Sequence, residues 1–129
     1  MKKEIIIIIS IIVLVVTANI ITQNYIKNCV KDVNVELISL RDDLLEENVD
    51  KENVQKKIND VHDKWDEMTK KLLYYIKHED LEKVEIQLSS TRGMIDVGMF
   101  DQSIPELDKC VFILNNIKDK ESIKLKNIF

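Results

Sequence analysis

Two residue pairs have the spacing expected for a metal site on a helix. His62 and Asp66 lie four residues apart, and so do His78 and Glu82. Residues four apart share one helix face, so each pair can offer an imidazole and a carboxylate to one ion. Two ligands do not complete a site, and the stronger bundle motifs repeat Glu-x-x-His on two helices. We therefore expect no metal, with His62 on a solvated face and His78 at a helix start.

Other residue types that carry chemistry form no recognisable constellation. The sequence has no Gly-rich phosphate loop, no nucleophile beside a base and no carboxylate pair at a catalytic spacing. Trp65 falls on an apolar helical stripe, which favours a core position over a stacking platform. Cys29 and Cys110 are expected to pack at different heights of the fold, too far apart for a disulfide. We predict no catalytic residue, no cofactor and no enzymatic activity.

Composition predicts one domain made of helices. The 129 residues include two Gly and one Pro, too few turn formers for a sandwich or a barrel. The formal net charge is −4, from 19 basic and 23 acidic side chains. An acidic, evenly mixed surface with few aromatic residues argues against a nucleic-acid partner.

The N-terminal stretch "EIIIIISIIVLVVTANI" is apolar enough to enter a membrane. From Ile5 to Thr22 it forms an uncharged run of about 18 residues, close to the shortest length that spans a bilayer. A cleaved leader is the alternative, but "VTAN" is a poor small-x-small cleavage site. The helical stripe that follows begins without a breaker. We therefore favour a permanent anchor.

Flanking charge predicts the orientation of this anchor. Lys2 and Lys3 favour a cytoplasmic N-terminus, although Lys27 and Lys31 on the other flank weaken the rule. We expect a single-pass protein of the cell membrane. Its predicted parts are a cytoplasmic tail (1–3), a transmembrane anchor (4–22), an extracytoplasmic helical bundle (23–120) and a C-terminal tail (121–129).

Apolar residues at alternating spacings of three and four predict four helices. The first predicted helix ends near residue 46. The other three cover residues 51–77, 79–100 and 104–118. Their stripes are Ile26, Val30, Val33, Leu37, Leu40 and Leu44; Val54, Ile58, Val61, Trp65, Met68, Leu72 and Tyr75; Leu81, Val84, Leu88, Thr91 and Ile95; and Leu107, Cys110 or Val111, Leu114 and Ile117.

Short polar connections supply the helix starts. Asp50 is the expected cap of the second helix, with Val49 and Val54 as a hydrophobic staple, and His78 or Asp80 the cap of the third. Ser103 is the expected cap of the fourth, with Pro105 in its first turn. Connections this short force antiparallel neighbours. The predicted fold is all-α, an N-terminal transmembrane helix that continues into an up-down antiparallel four-helix bundle.

The end of the chain is the candidate contact region. The antiparallel arrangement gathers acidic residues at the end of the bundle far from the membrane and many lysines near the membrane. We expect the tail "ESIKLKNIF" to run extended or as a loose turn, with its last five residues against the bundle beside the lipid. A frayed terminus is the alternative. These candidate contact residues are Leu125, Lys126, Asn127, Ile128 and Phe129.

Several sequence features together resemble a known family. The short N-terminal anchor, the tryptophan-bearing helix, "HEDLEKV" and above all "SIKLKNIF" resemble the small membrane-anchored proteins of bacterial domain-of-unknown-function family 4363. That family is typical of low-GC, spore-forming Gram-positive bacteria. The resemblance covers essentially the whole chain and implies no activity and no catalytic residues.

Three functions fit these observations unequally. The favoured one is a membrane-anchored structural or adaptor protein of the cell envelope, whose partners are lipid and another membrane protein or a second copy. The alternative is an extracytoplasmic ligand-sensing bundle that works with a separate receptor. A metal enzyme is the least favoured. No small-molecule substrate is evident from the sequence.

Overall fold

A computed structural model describes the backbone of residues 1–128 and the side chains of residues 1–123. It contains four helices, which are α1 (Lys2–Leu44), α2 (Lys51–Leu72), α3 (His78–Asp96) and α4 (Phe100–Ile128). The described chain has no strand. The prediction of an all-α fold is confirmed.

Helix α1 has two parts with opposite environments and no break between them. Its first part is apolar and uncovered, with Ile5 56% exposed and Leu14 68% exposed. Its second part buries the predicted stripe from Ile26 to Leu44. By length and composition this is a helix that can cross a membrane.

The helices form an antiparallel bundle in which each packs against two neighbours. The packed pairs are α1 with α2, α2 with α3, α3 with α4, and α4 with α1, so the described helices close a ring. Polar contacts show the register of α1 against α2. Lys64 Nζ lies 2.8 Å from Glu36 Oε1, and Lys57 pairs with Asp43. Residue numbers rise on one helix as they fall on the other, so these two helices are antiparallel.

The core is built from the predicted stripes. Those of α1 and α3 are buried at every predicted position, and Cys110 rather than Val111 occupies the buried position on α4. The stripe of α2 differs at its end, because α2 stops at Leu72 and a tight turn follows. That turn buries Ile76 and leaves Tyr75 46% exposed, so the prediction for Tyr75 was wrong.

Among the predicted N-terminal caps, only that of α2 is confirmed. Asp50 Oδ1 accepts a hydrogen bond from the Asn53 amide at 3.3 Å, and Val49 packs against the core that contains Val54. Helix α3 instead begins at His78 with Lys77 at the cap position and no capping side chain. The negative charges of Glu79 and Asp80 in its first turn interact favourably with the positive end of the helix dipole.

Helix α4 is longer than predicted at both ends. It begins at Phe100, so Ser103 lies inside it, fully buried, and its hydroxyl donates to the Phe100 carbonyl at 2.6 Å. Pro105 likewise lies beyond the first turn. At the other end the backbone stays helical to Ile128, so the tail is neither extended nor a loose turn. Buried Glu121 and Ile117 show that α4 keeps one face on the bundle there.

Of the small residues on α3, some are buried in the bundle and others are exposed. Thr91 is fully buried, and the Ser90 hydroxyl donates to Glu106 of α4 at 3.3 Å. Gly93 is exposed, and an added Cβ would meet nothing within 4 Å. Gly98 adopts a φ of 80°, which favours glycine, in the turn between α3 and α4.

Candidate functional site

A groove lies between α2 and α3 and is lined by both apolar and polar side chains. It has a volume of 320 Å³. From α2 it receives Trp65, Asp66 and Thr69, and Leu73 comes from the turn that follows. From α3 it receives His78, Leu81, Glu82 and Glu85. Asp66 of the first predicted pair and both members of the second therefore line one groove, which neither helix alone would reveal.

His62 stands at the edge of this group and is buried, with 8% of its surface exposed. Its Nε2 lies 2.5 Å from Glu85 Oε1 across the helix interface. The prediction that His62 faces solvent was wrong. His62 directly follows Val61 and lies four residues after Ile58, so it flanks the buried stripe and α3 covers it.

Three side chains come close enough to share an ion. One ligand atom each from His62, Asp66 and Glu85 lies within 4.8 Å of the other two. His62 and Asp66 are adjacent on α2 by their spacing of four. Glu85 comes from α3, because the antiparallel register places it opposite His62. Glu85 was not predicted as a ligand, because that register cannot be read from one helix.

Trp65 forms an apolar wall of the groove and is 1% exposed. Its indole Nε1 is buried and has no hydrogen-bond partner within the described chain. The Nδ1 atom of His62 is also buried without one. Buried polar atoms are usually paired in folded proteins, and ordered water serves where the protein offers no partner.

A second candidate surface lies at the end of the bundle nearest the apolar segment. The turn after α2 exposes Leu73, Tyr74 and Tyr75, with Tyr74 83% exposed. The pKa of Tyr25 on α1 is raised by burial and by a hydrogen bond to Cys29, with a smaller contribution from nearby Tyr75. The turn therefore lies beside α1 a few residues after its apolar segment. Exposed tyrosines at this level are typical of membrane–water interfaces.

The predicted contact residues at the C-terminus continue helix α4. The backbone of Leu125, Lys126, Asn127 and Ile128 is helical. Their side chains and the whole of Phe129 lie outside the described residues. Docking of the final five residues therefore stays a prediction.

The two cysteines are buried free thiols in different parts of the core, as expected for packing residues. Cys110 is fully buried, which raises its pKa to about 12. Burial also raises the pKa of Cys29, although a hydrogen bond with Tyr25 partly opposes this effect.

Comparison with protein families identifies the chain. The model of the family described as "Domain of unknown function (DUF4363)" matches residues 20–128. The chain belongs to the DUF4363 family. The DUF4363 match begins near the end of the apolar segment and covers the whole bundle, including the helical tail. No curated protein and no solved structure matches the chain.

Proposed function

We propose that this DUF4363 protein is a membrane-anchored structural or adaptor protein of the bacterial cell envelope. It acts through helix contacts with another membrane protein or with a second copy of itself. The observation that supports this function is the unbroken α1, which carries an uncovered apolar segment and a buried core stripe on one helix. Lys2 and Lys3 favour a cytoplasmic N-terminus and an extracytoplasmic bundle.

An exposed apolar pair offers a surface for such a contact. Ile38 on α1 and Phe112 on α4 are 52% and 66% exposed. Ile38 lies between Asn34 and Arg41 on one face of α1. Asn34 contacts Asn115 of α4, and Arg41 contacts Asp108 of α4. Phe112 lies between those two α4 residues. Ile38 and Phe112 therefore share the outer side of the α1–α4 seam at one level, where a partner helix can cover both.

Site-specific photocrosslinking in native membranes tests this proposal. A photoreactive phenylalanine analogue at position 112 should give a larger crosslinked species. The same analogue at Ile86 of α3, which is 56% exposed, is the control and should give less. Phe112→Asp should abolish the complex but preserve the fold, because the side chain projects outward. Recovery of free monomer alone from both positions would contradict the proposal.

The groove between α2 and α3 favours one further function, a ligand-sensing bundle that works with a separate receptor. Its apolar wall and several polar groups have the character of a small-ligand site. A thermal-shift screen of the full chain in detergent tests this function. Failure of every small organic ligand to raise the melting temperature would count against it.

A further inference from the structure

We propose that the interface of α2 and α3 binds a divalent cation of the zinc class through His62, Asp66 and Glu85. Sequence spacing supplied only two ligands on one helix and therefore did not favour a metal. The structure adds the third ligand from a second helix, as bundle metal sites require. All three residues lie on α2 and α3, outside the apolar segment of α1.

The geometry of the three side chains suits a single ion. Their ligand atoms already lie within 4.8 Å of one another, with His62 Nε2 and Glu85 Oε1 at 2.5 Å. Zinc binds imidazole nitrogen and carboxylate oxygen at about 2.0–2.2 Å. Two ligands of one ion therefore stand about 3 Å apart or slightly more. Small rotations of Asp66 and Glu85, which are exposed and partly exposed, can reach that geometry without moving either backbone.

The environment supports a bound ion rather than a solvated acidic surface. His62 is more than nine-tenths buried, and its buried ring Nδ1 has no hydrogen-bond partner in the part of the chain that the structure describes. A histidine that ligates a metal usually donates its other ring nitrogen to a carboxylate, a carbonyl or water. A water molecule on Nδ1 would meet this need. Trp65, whose buried indole N–H has no hydrogen-bond partner among the described residues, lines the groove beside these ligands.

The donor set also decides the class of cation. Imidazole together with carboxylates favours zinc and similar transition metals, whereas magnesium and calcium prefer oxygen ligands alone. Three protein ligands leave at least one position open. The groove beside the ion contains His78 and Glu82, and Glu82 lies one helical turn before Glu85. These groove residues can bind a molecule that fills the open position of the ion.

The first test is calorimetric titration of the full chain in detergent with zinc chloride, using an affinity tag without histidine. We expect saturable binding of one zinc ion per chain at micromolar or lower concentration. Asp66→Asn and Glu85→Gln should each weaken binding at least tenfold. Glu67→Gln is the matched control, because Glu67 neighbours Asp66 but is exposed and pairs with Lys70. Its affinity should not change.

Thermal unfolding gives an independent readout. Zinc should raise the melting temperature of the wild type and of Glu67→Gln, but not of the Asp66→Asn, Glu85→Gln double variant. Helix content by circular dichroism checks that each variant is folded. No saturable zinc binding below about 100 μM would overturn the proposal on the usual affinity scale. Unchanged affinity in the two carboxylate variants, or equal affinity for magnesium, would also overturn it.

Discussion

Asn34 of α1 donates a hydrogen bond to Asn115 of α4 over 3.0 Å. Seven residues along each helix, Arg41 Nε lies 2.9 Å from Asp108 Oδ1. These two contacts define a constant antiparallel register between the first and last helices. Continued towards the C-terminus, that register brings Ile128 level with Ile21, at the end of the apolar segment. The last turns of α4 therefore approach the level of the membrane surface if residues 5–21 lie in a bilayer.

Deleting residues 125–129 tests whether this end of α4 matters. Because the helix continues to Ile128, we expect the truncated chain to unfold at lower denaturant and to give fewer crosslinked complexes in membranes. Chemical denaturation in detergent and crosslinking of membranes measure these two effects. The substitution of Lys124 to Gln, which keeps the helix length, is the control. Unchanged stability together with unchanged complexes would mean that these residues neither dock nor contact a partner.

Replacing Trp65 with alanine should strongly destabilise the bundle. The side chain is 1% exposed and belongs to the central core, so we expect a loss of about 3–5 kcal/mol in the free energy of unfolding. Denaturation followed by circular dichroism measures this loss. Tyr74→Ala is the control, because Tyr74 is 83% exposed. A loss below about 1 kcal/mol for Trp65→Ala would contradict a core position.

Both thiols should react slowly with alkylating reagents while the protein is folded. Only the thiolate reacts, and burial raises the pKa of Cys110 to about 12 and also raises that of Cys29. At pH 8 the folded protein therefore holds little thiolate at either position. Mass spectrometry after iodoacetamide treatment should show both cysteines modified in denaturant and largely unmodified without it. Rapid labelling of Cys110 in the folded chain would contradict its burial.

The apolar segment should hold the intact chain in the membrane. We expect the protein to sediment with membranes at full mass, to resist extraction by high salt and to dissolve in detergent. Protease added outside protoplasts should digest the bundle. Glu4 and the two preceding lysines should then remain in a protected fragment. A mature protein that begins at Asn19 would show instead that the segment is a cleaved leader.

Helix number and core faces could be predicted from sequence because each helix carries its own apolar period. The stripes from Ile26 to Leu44 and from Leu81 to Ile95 illustrate this. The ends of the helices were harder to predict from the sequence, because local capping competes with tertiary packing. Ser103 has the residue type of a cap, yet α4 starts three residues earlier and buries its side chain.

The sequence indicated only two of the three ligands of the candidate metal site. Helical spacing identified His62 and Asp66, but Glu85 depends on how α3 lies against α2. That relationship follows from the packing of the two helices, across which Gln55 Nε2 lies 3.2 Å from Asp96 Oδ1. No local pattern records it. The burial of His62 has the same origin, because α3 covers a position that looks polar on an isolated helix.

The unbroken α1 has a mechanical consequence. A helix without a hinge transmits tilt and torsion, so a reorientation of residues 5–21 in a bilayer would turn the whole bundle with them. From Gln23 to Leu44 the helix extends about 33 Å at 1.5 Å per residue, and a tilt of roughly 10° would displace its far end by about 6 Å. Bilayers of different thickness change helix tilt. The acidic far end of the bundle would then move as the tip of a lever, by a distance that changes with membrane thickness.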